Sequence, residues 1–218
     1  MPLPRFDKLD EPRRRSILEA AAEEFGDRGF EGASYNRIIE RAGISKGAMY
    51  YYFADKDDLF QTVLQVALTQ WLTEVGYPFE ADDASSFWSA CHGMYARSMR
   101  FMLSDPHHAA LCWSITRVRA SHGTHPLVRE LNAQLLEWIA ALVEQGRVLG
   151  AVRDDVPVDL QVQAGLALMD AGDRWLAERW DDVEEDDVDA TASMMIGMFR
   201  RLAAPDPSDP MKDEKGQP

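Results

Sequence analysis

Apolar residues recur at intervals of three and four along almost the whole chain, as in the series Ile17, Ala21 and Phe25. No segment alternates apolar with polar residues over a run enriched in β-branched side chains, which is the pattern of a half-buried strand. Glycine and proline interrupt the helical pattern, for example at Gly43 and Gly76, and divide it into successive helices. The sequence therefore predicts an all-α protein.

Two short helices are predicted on either side of a glycine, at about residues 35–42 and 45–52. Ser34 and Ser45 are suitable N-terminal caps for them, because a serine side chain accepts a hydrogen bond from the free N–H groups of the first turn. Gly43 lies between the helices and readily adopts the left-handed backbone of a tight turn. Two helices joined in this way form a helix-turn-helix, in which the first turn of the second helix enters the major groove of DNA.

The second short helix carries four aromatic residues in succession, Tyr50–Phe53. Successive helical residues are rotated by about 100°, so the four rings cannot share one buried face. The last of them pairs with Met49 at i,i+4 and is expected in the core, whereas the first shares a face with Lys46. We therefore expect at least one phenol at the surface beside this lysine, where it can donate to a phosphate oxygen. Lys56 opens the next helix and adds a positive charge on the same side.

The formal net charge of the chain, −14, argues on its own against a nucleic-acid partner. The charge is unevenly distributed, since residues 1–60 hold 10 basic and 12 acidic side chains, a net of −2. The other 158 residues hold 13 basic and 25 acidic side chains, a net of −12. A protein that binds a polyanion needs a local basic surface rather than a basic chain. Only the N-terminal segment can therefore provide one.

A pattern of small, apolar and aromatic residues extends from the helix-turn-helix into the helix before it. Its positions are Ile17, Ala20, Ala21, Phe25, Gly29 and Phe30, followed by Gly32–Ser34, Ile38, Ile39, Ala42–Gly47, Tyr50–Phe53, Lys56 and Leu59. Over about residues 11–70 this pattern resembles the DNA-binding domain of the TetR family of transcriptional regulators. Ala33 departs from it, because threonine is common at this position in the family and makes a capping or phosphate contact. Ser34 is expected to make that contact instead.

The resemblance implies a helix-turn-helix DNA-binding domain at residues 11–71 and a helical ligand-binding and dimerisation domain at 72–204. The tail, 205–218, is rich in proline and poor in apolar residues, and is predicted to be disordered. The resemblance further implies a homodimeric repressor that binds a near-palindromic double-stranded DNA operator and is released by a small-molecule effector. The DNA contacts that it implies are Ser34, Tyr35, Asn36, Ser45, Lys46, Gly47, Tyr50, Tyr51, Tyr52 and Lys56.

The C-terminal two-thirds of the chain holds all six tryptophans and eight of the ten methionines. Large apolar side chains at helical spacing either pack a core or line a pocket between helices, and the sequence leaves both open. Such a pocket would bind an apolar or aromatic effector. Asp170 and Asp173 would bind a cationic effector unless their side chains face solvent. The candidate pocket residues are Trp88, Cys91, Tyr95, Met99, Trp113, Trp138, Met169 and Asp173.

The last two predicted helices, at about residues 158–179 and 187–202, each have an apolar face. These faces can bury against each other or across a two-fold axis, and periodicity does not distinguish the two. The resemblance favours a dimer contact. The candidate residues for it are Leu160, Ala164, Leu168, Met195, Met198, Phe199 and Leu202.

The sequence carries no strong signature of catalysis, and we expect a protein that is not an enzyme and needs no cofactor. Its five histidines and two cysteines lack the spacing of helical di-iron or zinc-protease sites, so we expect no metal and histidines in loops and at the surface. Two other functions stay open, an all-α enzyme for a small molecule and a scaffold that binds a protein through its acidic part. Without an apolar span or a signal peptide, the chain is expected to be cytoplasmic with no membrane partner.

Overall fold

The computed structural model describes residues 5–76, 79–120 and 125–206. None of these residues lies in a β-strand, so the predicted all-α fold is confirmed. The helices are α1 (Glu11–Gly32), α2 (Tyr35–Arg41), α3 (Lys46–Tyr52), α4 (Lys56–Val75), α5 (Ala84–Ser104), α6 (Pro106–Ala120), α7 (Pro126–Val148), α8 (Val158–Ala177) and α9 (Val188–Ala203). Most of the predicted disordered tail, at 207–218, lies outside the described residues.

Polar side chains fix the starts of α2 and α3, as the sequence predicts. Ser34 Oγ accepts a hydrogen bond from the backbone N–H of Arg37 at 3.4 Å, and Ser45 Oγ accepts one from Ala48 at 3.1 Å. Gly43, between the two helices, has a φ of +65°, which a glycine adopts without the steric penalty of a side chain. The caps and the glycine turn together define where each short helix begins and how the chain passes between them.

The first four helices share an apolar core that supports the helix-turn-helix. Met49 and Phe53, predicted as core residues, are fully buried, and they share this core with Phe25 of α1 and Phe60 of α4. Phe6, in a short 3-10 turn ahead of α1, packs its ring 4.8 Å from that of Phe53. The helix α3 therefore shares one apolar core with α1, with α4 and with the segment that precedes α1.

The N-terminal core continues into the C-terminal part of the chain. The predicted domain boundary at residues 71 and 72 falls inside α4. The helices α6 and α7 contribute Leu111, Val118 and Val128 to the core of the first four helices. Among all helix pairs, α1 and α6 make the most extensive contact. A displacement of α6 would therefore displace α1 as well.

Polar and buried contacts also cross the junction between α1 and α6. Arg15 of α1 forms an ion pair with Asp105, which directly precedes α6. His107 Nδ1 lies 3.1 Å from a carboxylate oxygen of Glu19, and the histidine ring is buried. His125, which precedes α7, is buried against aromatic rings of the N-terminal core. The predicted surface position is wrong for both histidines, because the packing of α6 and α7 on the first helices covers them. The predicted loop position is wrong for His107, which lies in α6, and is confirmed for His125.

Within the described ranges, no helix is long and apolar enough to cross a bilayer. The same residues contain no group of three or more histidine, cysteine, aspartate or glutamate side chains that could hold a metal ion. His122, one of the five histidines considered above, lies outside the described residues.

Candidate DNA-binding surface and ligand cavity

The outer face of α3 carries a lysine, a glycine and two tyrosines. Lys46 and Gly47 form its first turn and are exposed, while Tyr50 and Tyr51 are 48% and 51% exposed. The Lys46 ammonium lies 5.9 Å from the ring centroid of Tyr50. It has no carboxylate partner among residues 5–76, 79–120 and 125–206, and it is free to meet a phosphate. The prediction that a phenol reaches the surface beside this lysine is confirmed.

The polar residues predicted at the DNA surface from α2 and the turn are exposed or half-buried. Asn36 is exposed on the second residue of α2, and Ser34 is half-buried as the cap of that helix. Ser45 is exposed, and its oxygen accepts the N–H of Ala48. A capping hydroxyl still has its own proton to donate, so capping and a contact to DNA are compatible.

Two of the predicted DNA-contacting tyrosines are partly buried. Tyr52 is half-buried against the core. The Tyr35 hydroxyl is buried without a hydrogen-bond partner among the described residues, and burial raises the pKa of this phenol. The Tyr35 ring packs edge-on against Tyr50, with 5.4 Å between the centroids. A phosphate contact through the Tyr35 hydroxyl does not fit this position, and the ring instead positions Tyr50.

Lys56, predicted as a flanking phosphate contact, is bound within the protein. Its ammonium donates hydrogen bonds to the carbonyl oxygens of Phe30, at 2.7 Å, and Ala33, at 3.1 Å. It also lies 4.5 Å from the centroid of the Phe30 ring. The lysine therefore satisfies the C-terminal carbonyls of α1 and ties that end to the start of α4. One of its three N–H groups is left for any other partner.

A buried glutamate, which sequence reasoning missed, fixes the start of α2. Glu24 of α1 is almost completely buried and accepts hydrogen bonds from the Ser34 backbone N–H, at 2.9 Å, and from Arg37, at 2.7 and 2.8 Å. Burial alone would raise the pKa of Glu24, but the hydrogen bonds from Arg37 and Ser34 hold it below its usual value. A glutamate inside the otherwise apolar stripe of α1 was the available sequence signal.

A second missed residue, Arg5, lies next to α3. The Arg5 guanidinium stacks over the ring of Tyr51, with its central carbon 4.4 Å from the ring centroid. Burial of the adjacent Phe6 in the core holds the backbone of this arginine in place. An isolated phenylalanine before the first helix was the only hint of this contact in the sequence.

The C-terminal helices line a cavity of about 810 Å³ with mostly apolar walls. It lies among α4 to α9 and is lined by tryptophan, methionine, leucine and other apolar side chains. All eight of the predicted pocket residues are part of its wall: Trp88, Cys91, Tyr95, Met99, Trp113, Trp138, Met169 and Asp173. The structure thus brings these residues together, and a ligand contact by each of them stays a prediction. The volume and apolar character suit a small organic molecule.

The predicted dimer residues divide among three positions. Leu160 and Leu202 are 56% and 47% exposed, and they also line the cavity. Ala164 and Phe199 line the cavity as well, whereas Leu168 and Met198 are half-buried. Met195 is buried within the chain, because its sulfur lies over Gly172, where α8 and α9 pack closely. The dimer role predicted for Met195 is therefore corrected to one in the core of the subunit.

Known proteins resemble the chain in sequence and in fold. The family of bacterial regulatory proteins called tetR matches residues 17–63. The HTH-type transcriptional repressor AcnR of Corynebacterium diphtheriae is 30% identical over 154 residues, which is 68% of this chain and 72% of that protein. The HTH-type transcriptional repressor KstR2 of Mycobacterium tuberculosis is 27% identical over 170 residues, 77% of this chain and 80% of that protein.

A solved structure supports the fold over nearly the full length. The crystal structure of a TetR family transcriptional regulator from Chloroflexus aurantiacus matches this chain with a TM-score of 0.69 and 22% sequence identity. The match covers 94% of this chain and 100% of the chain in that crystal structure. The matched segment includes the helix-turn-helix, whose caps, turn and exposed α3 face are described above. The chain is a DNA-binding transcriptional regulator and belongs to the TetR family.

Proposed function

We propose that this regulator is a repressor that binds a near-palindromic operator as a homodimer and leaves it when a small molecule fills the C-terminal cavity. The observation that carries the proposal is the capped, exposed first turn of α3, with Lys46 and Gly47 at the surface. Residues 11–71 would form the DNA-binding unit and residues 72–204 the ligand-binding and dimerisation unit. Both repressors named above support the assignment of repression.

The residues of the DNA surface divide by chemistry. Lys46 and Tyr50 present a charged and a neutral donor side by side, which suits phosphate oxygens. Asn36, Ser45 and Tyr51 carry exposed polar groups on short or rigid side chains, which suits the edges of bases in the major groove. A phosphate contact positions the protein on the duplex, and a base contact gives sequence preference.

A homodimer is supported by exposed apolar side chains on the last two helices. Leu160 and Trp175 of α8, and Met194 and Leu202 of α9, are each at least 40% exposed. Large apolar groups exposed together on adjacent elements are typical of an interface between subunits. Two such subunits would present two copies of α3 to successive major grooves of one face of DNA.

Release by a ligand requires a connection between the cavity and α3, and α6 provides it. Cys112, Trp113 and Thr116 of α6 line the cavity. The same helix packs along α1 and is tied to it by the ion pair between Arg15 and Asp105. A ligand that moves α6 would therefore move α1 and the helix-turn-helix that α1 supports.

The test is a footprint and an affinity measurement on DNA selected by the protein from fragments of the source genome. We expect protection of two half-sites about one helical turn apart, or a small multiple of that. The double variant Lys46→Ala, Tyr50→Phe should bind more weakly, with a smaller salt dependence, and should melt at the same temperature. Arg129→Ala, an exposed arginine of α7, is the matched control and should bind as the native chain does.

Equal affinity for every sequence, or unchanged affinity in the double variant, would contradict the proposal. The scaffold function would then be favoured, and it predicts a protein complex that weakens with salt and needs no DNA. An enzyme is not supported by the cysteines, because burial raises the pKa of both Cys91 and Cys112 to about 12. A thiol with so high a pKa is a poor nucleophile at neutral pH. A DNA-binding repressor of this kind would act in the cytoplasm, where the chromosome lies.

A further inference from the structure

The charges on the cavity wall are unevenly paired. Its charged side chains, among the described residues, are Arg119, Arg153 and Asp173. Arg119 Nη2 lies 3.1 Å from a carboxylate oxygen of Asp170, and Arg153 pairs with Asp155. Both arginines of the wall therefore have a carboxylate of their own. Asp173 forms no ion pair with a residue that the structure describes, which makes it the exception on the wall.

The groups that face Asp173 do not cancel its charge. Burial raises its pKa to about 6, and the nearby Asp170 carboxylate acts in the same direction, even though Arg119 and the Thr116 hydroxyl favour the charged form. The nearby Tyr95 phenol and Cys112 thiol are neutral, because burial and the charge of Asp173 both raise their pKa values. At neutral pH the carboxylate is therefore mostly ionised, and a charge held in an apolar wall with a hydroxyl contact but no ion-pair partner is unfavourable.

The rest of the cavity favours the opposite charge in a ligand. Its wall includes aromatic rings from several helices: Trp71, Trp88, Tyr95, Trp113, Trp138 and Phe199. The face of an aromatic ring attracts a cation, most strongly for tryptophan. In addition, residues 61–218 carry 13 basic and 25 acidic side chains, and this net charge of −12 raises the local concentration of cations.

We infer that the effector of this cavity is an organic cation, a largely aromatic or apolar molecule whose protonated amine pairs with the Asp173 carboxylate. The inference rests on the proposed function, because it names the class of molecule for the cavity proposed there as the effector site. A neutral molecule of the same shape would leave the carboxylate unpaired, and an anion would be repelled by it. Asp173 thus selects the sign of the charge on the ligand, while the aromatic wall favours a ligand whose body is aromatic or apolar.

Three fluorescent probes with one aromatic body and different head groups test this inference. The probes are 1-pyrenemethylamine, 1-pyrenemethanol and 1-pyrenecarboxylic acid, which are cationic, neutral and anionic at pH 7.5. Binding is followed by energy transfer from the tryptophans of the wall to pyrene. We expect the amine to bind roughly tenfold more tightly than the alcohol, or by about 1.4 kcal/mol, and the acid to bind most weakly.

The variant Asp173→Asn should abolish the preference for the amine and leave the affinity for the alcohol unchanged, which also shows that the cavity is intact. Asp159→Asn is the matched control, since Asp159 is an exposed acidic residue of the same helix. It should keep the full preference. In the native chain, the preference should shrink as the pH falls from 7.5 to 5, because Asp173 takes up a proton while the amine stays charged. This second measurement does not depend on the folding of a variant.

Each outcome decides the inference. If the alcohol or the acid binds as tightly as the amine, the role of Asp173 is refuted, and the cavity remains a ligand site. If none of the probes binds, the inference fails together with the proposed effector site. The DNA footprint of the same preparation then shows whether the proposed DNA-binding function survives by itself.

Discussion

Replacing Gly47 with alanine should separate the stability of α3 from its contact with DNA. A Cβ atom at this position would meet only Ser45 Oγ, at 4.0 Å, so the protein itself accommodates the change. Alanine favours a helix over glycine by about 0.5–1 kcal/mol, which for a chain of this length raises the Tm by about 1–4 °C. The affinity for the operator should fall by roughly tenfold, because the new methyl group occupies the first turn of the helix that approaches DNA.

The measurements are thermal unfolding by circular dichroism and fluorescence anisotropy with the selected operator. Gly165→Ala in α8 is the matched control, since its Cβ would lie at an ordinary contact distance of 3.5 Å from Ile139 Cγ2. It should raise the Tm to a similar extent and leave the affinity for DNA unchanged. A Gly47→Ala protein that is more stable and still binds the operator as the native chain does would refute the placement of Gly47 against DNA.

Two further substitutions test the supports of the DNA-binding unit. Lys56→Met removes the hydrogen bonds to the carbonyls of Phe30 and Ala33 and should lower the free energy of unfolding by about 1–2 kcal/mol, measured by urea unfolding. An unchanged stability with a weaker salt dependence of DNA binding would show a phosphate contact instead. Burial lowers the pKa of His107 below its usual 6.5, so the unfolded chain binds more protons and stability should fall as the pH drops below 6.5. His107→Gln should flatten this fall, and parallel pH profiles of stability would refute a role for His107.

The helix-turn-helix was predictable because its determinants are local. Ser34 and Ser45 each cap a helix through a residue three positions away. The left-handed backbone of Gly43 is a property of the tight turn between the two helices. The rotation of about 100° per residue was enough to place Phe53 in the core and Tyr50 at the surface. Each of these inferences uses an interaction within about one turn of helix. None of them requires the path of the rest of the chain.

Contacts between distant parts of the sequence could not be predicted in this way. Arg15 and Asp105 are 90 residues apart, and nothing in the periodicity of α1 or α6 pairs them. The carbonyls that bind Lys56 come from the end of α1, 23 and 26 residues earlier. A lysine beside a DNA-binding helix has the same sequence pattern whether it meets a phosphate or a carbonyl. The path of the backbone decides between the two.

The last two helices show why an apolar face does not specify its partner. The core of the chain, a cavity and a second subunit all require the same periodicity, so neighbouring positions were predicted alike. Gly172 determines that Met195 lies in the core of the subunit. Because glycine has no side chain, α8 and α9 can approach there and bury the methionine between them. One turn further on, Phe199 faces the cavity, while Leu160 and Leu202 line it and are also exposed. In the proposed dimer, a partner that covers these two leucines would also close the side of the cavity on which they lie. Dimer contact and ligand affinity would then depend on the same side chains, so that each changes the free energy of the other.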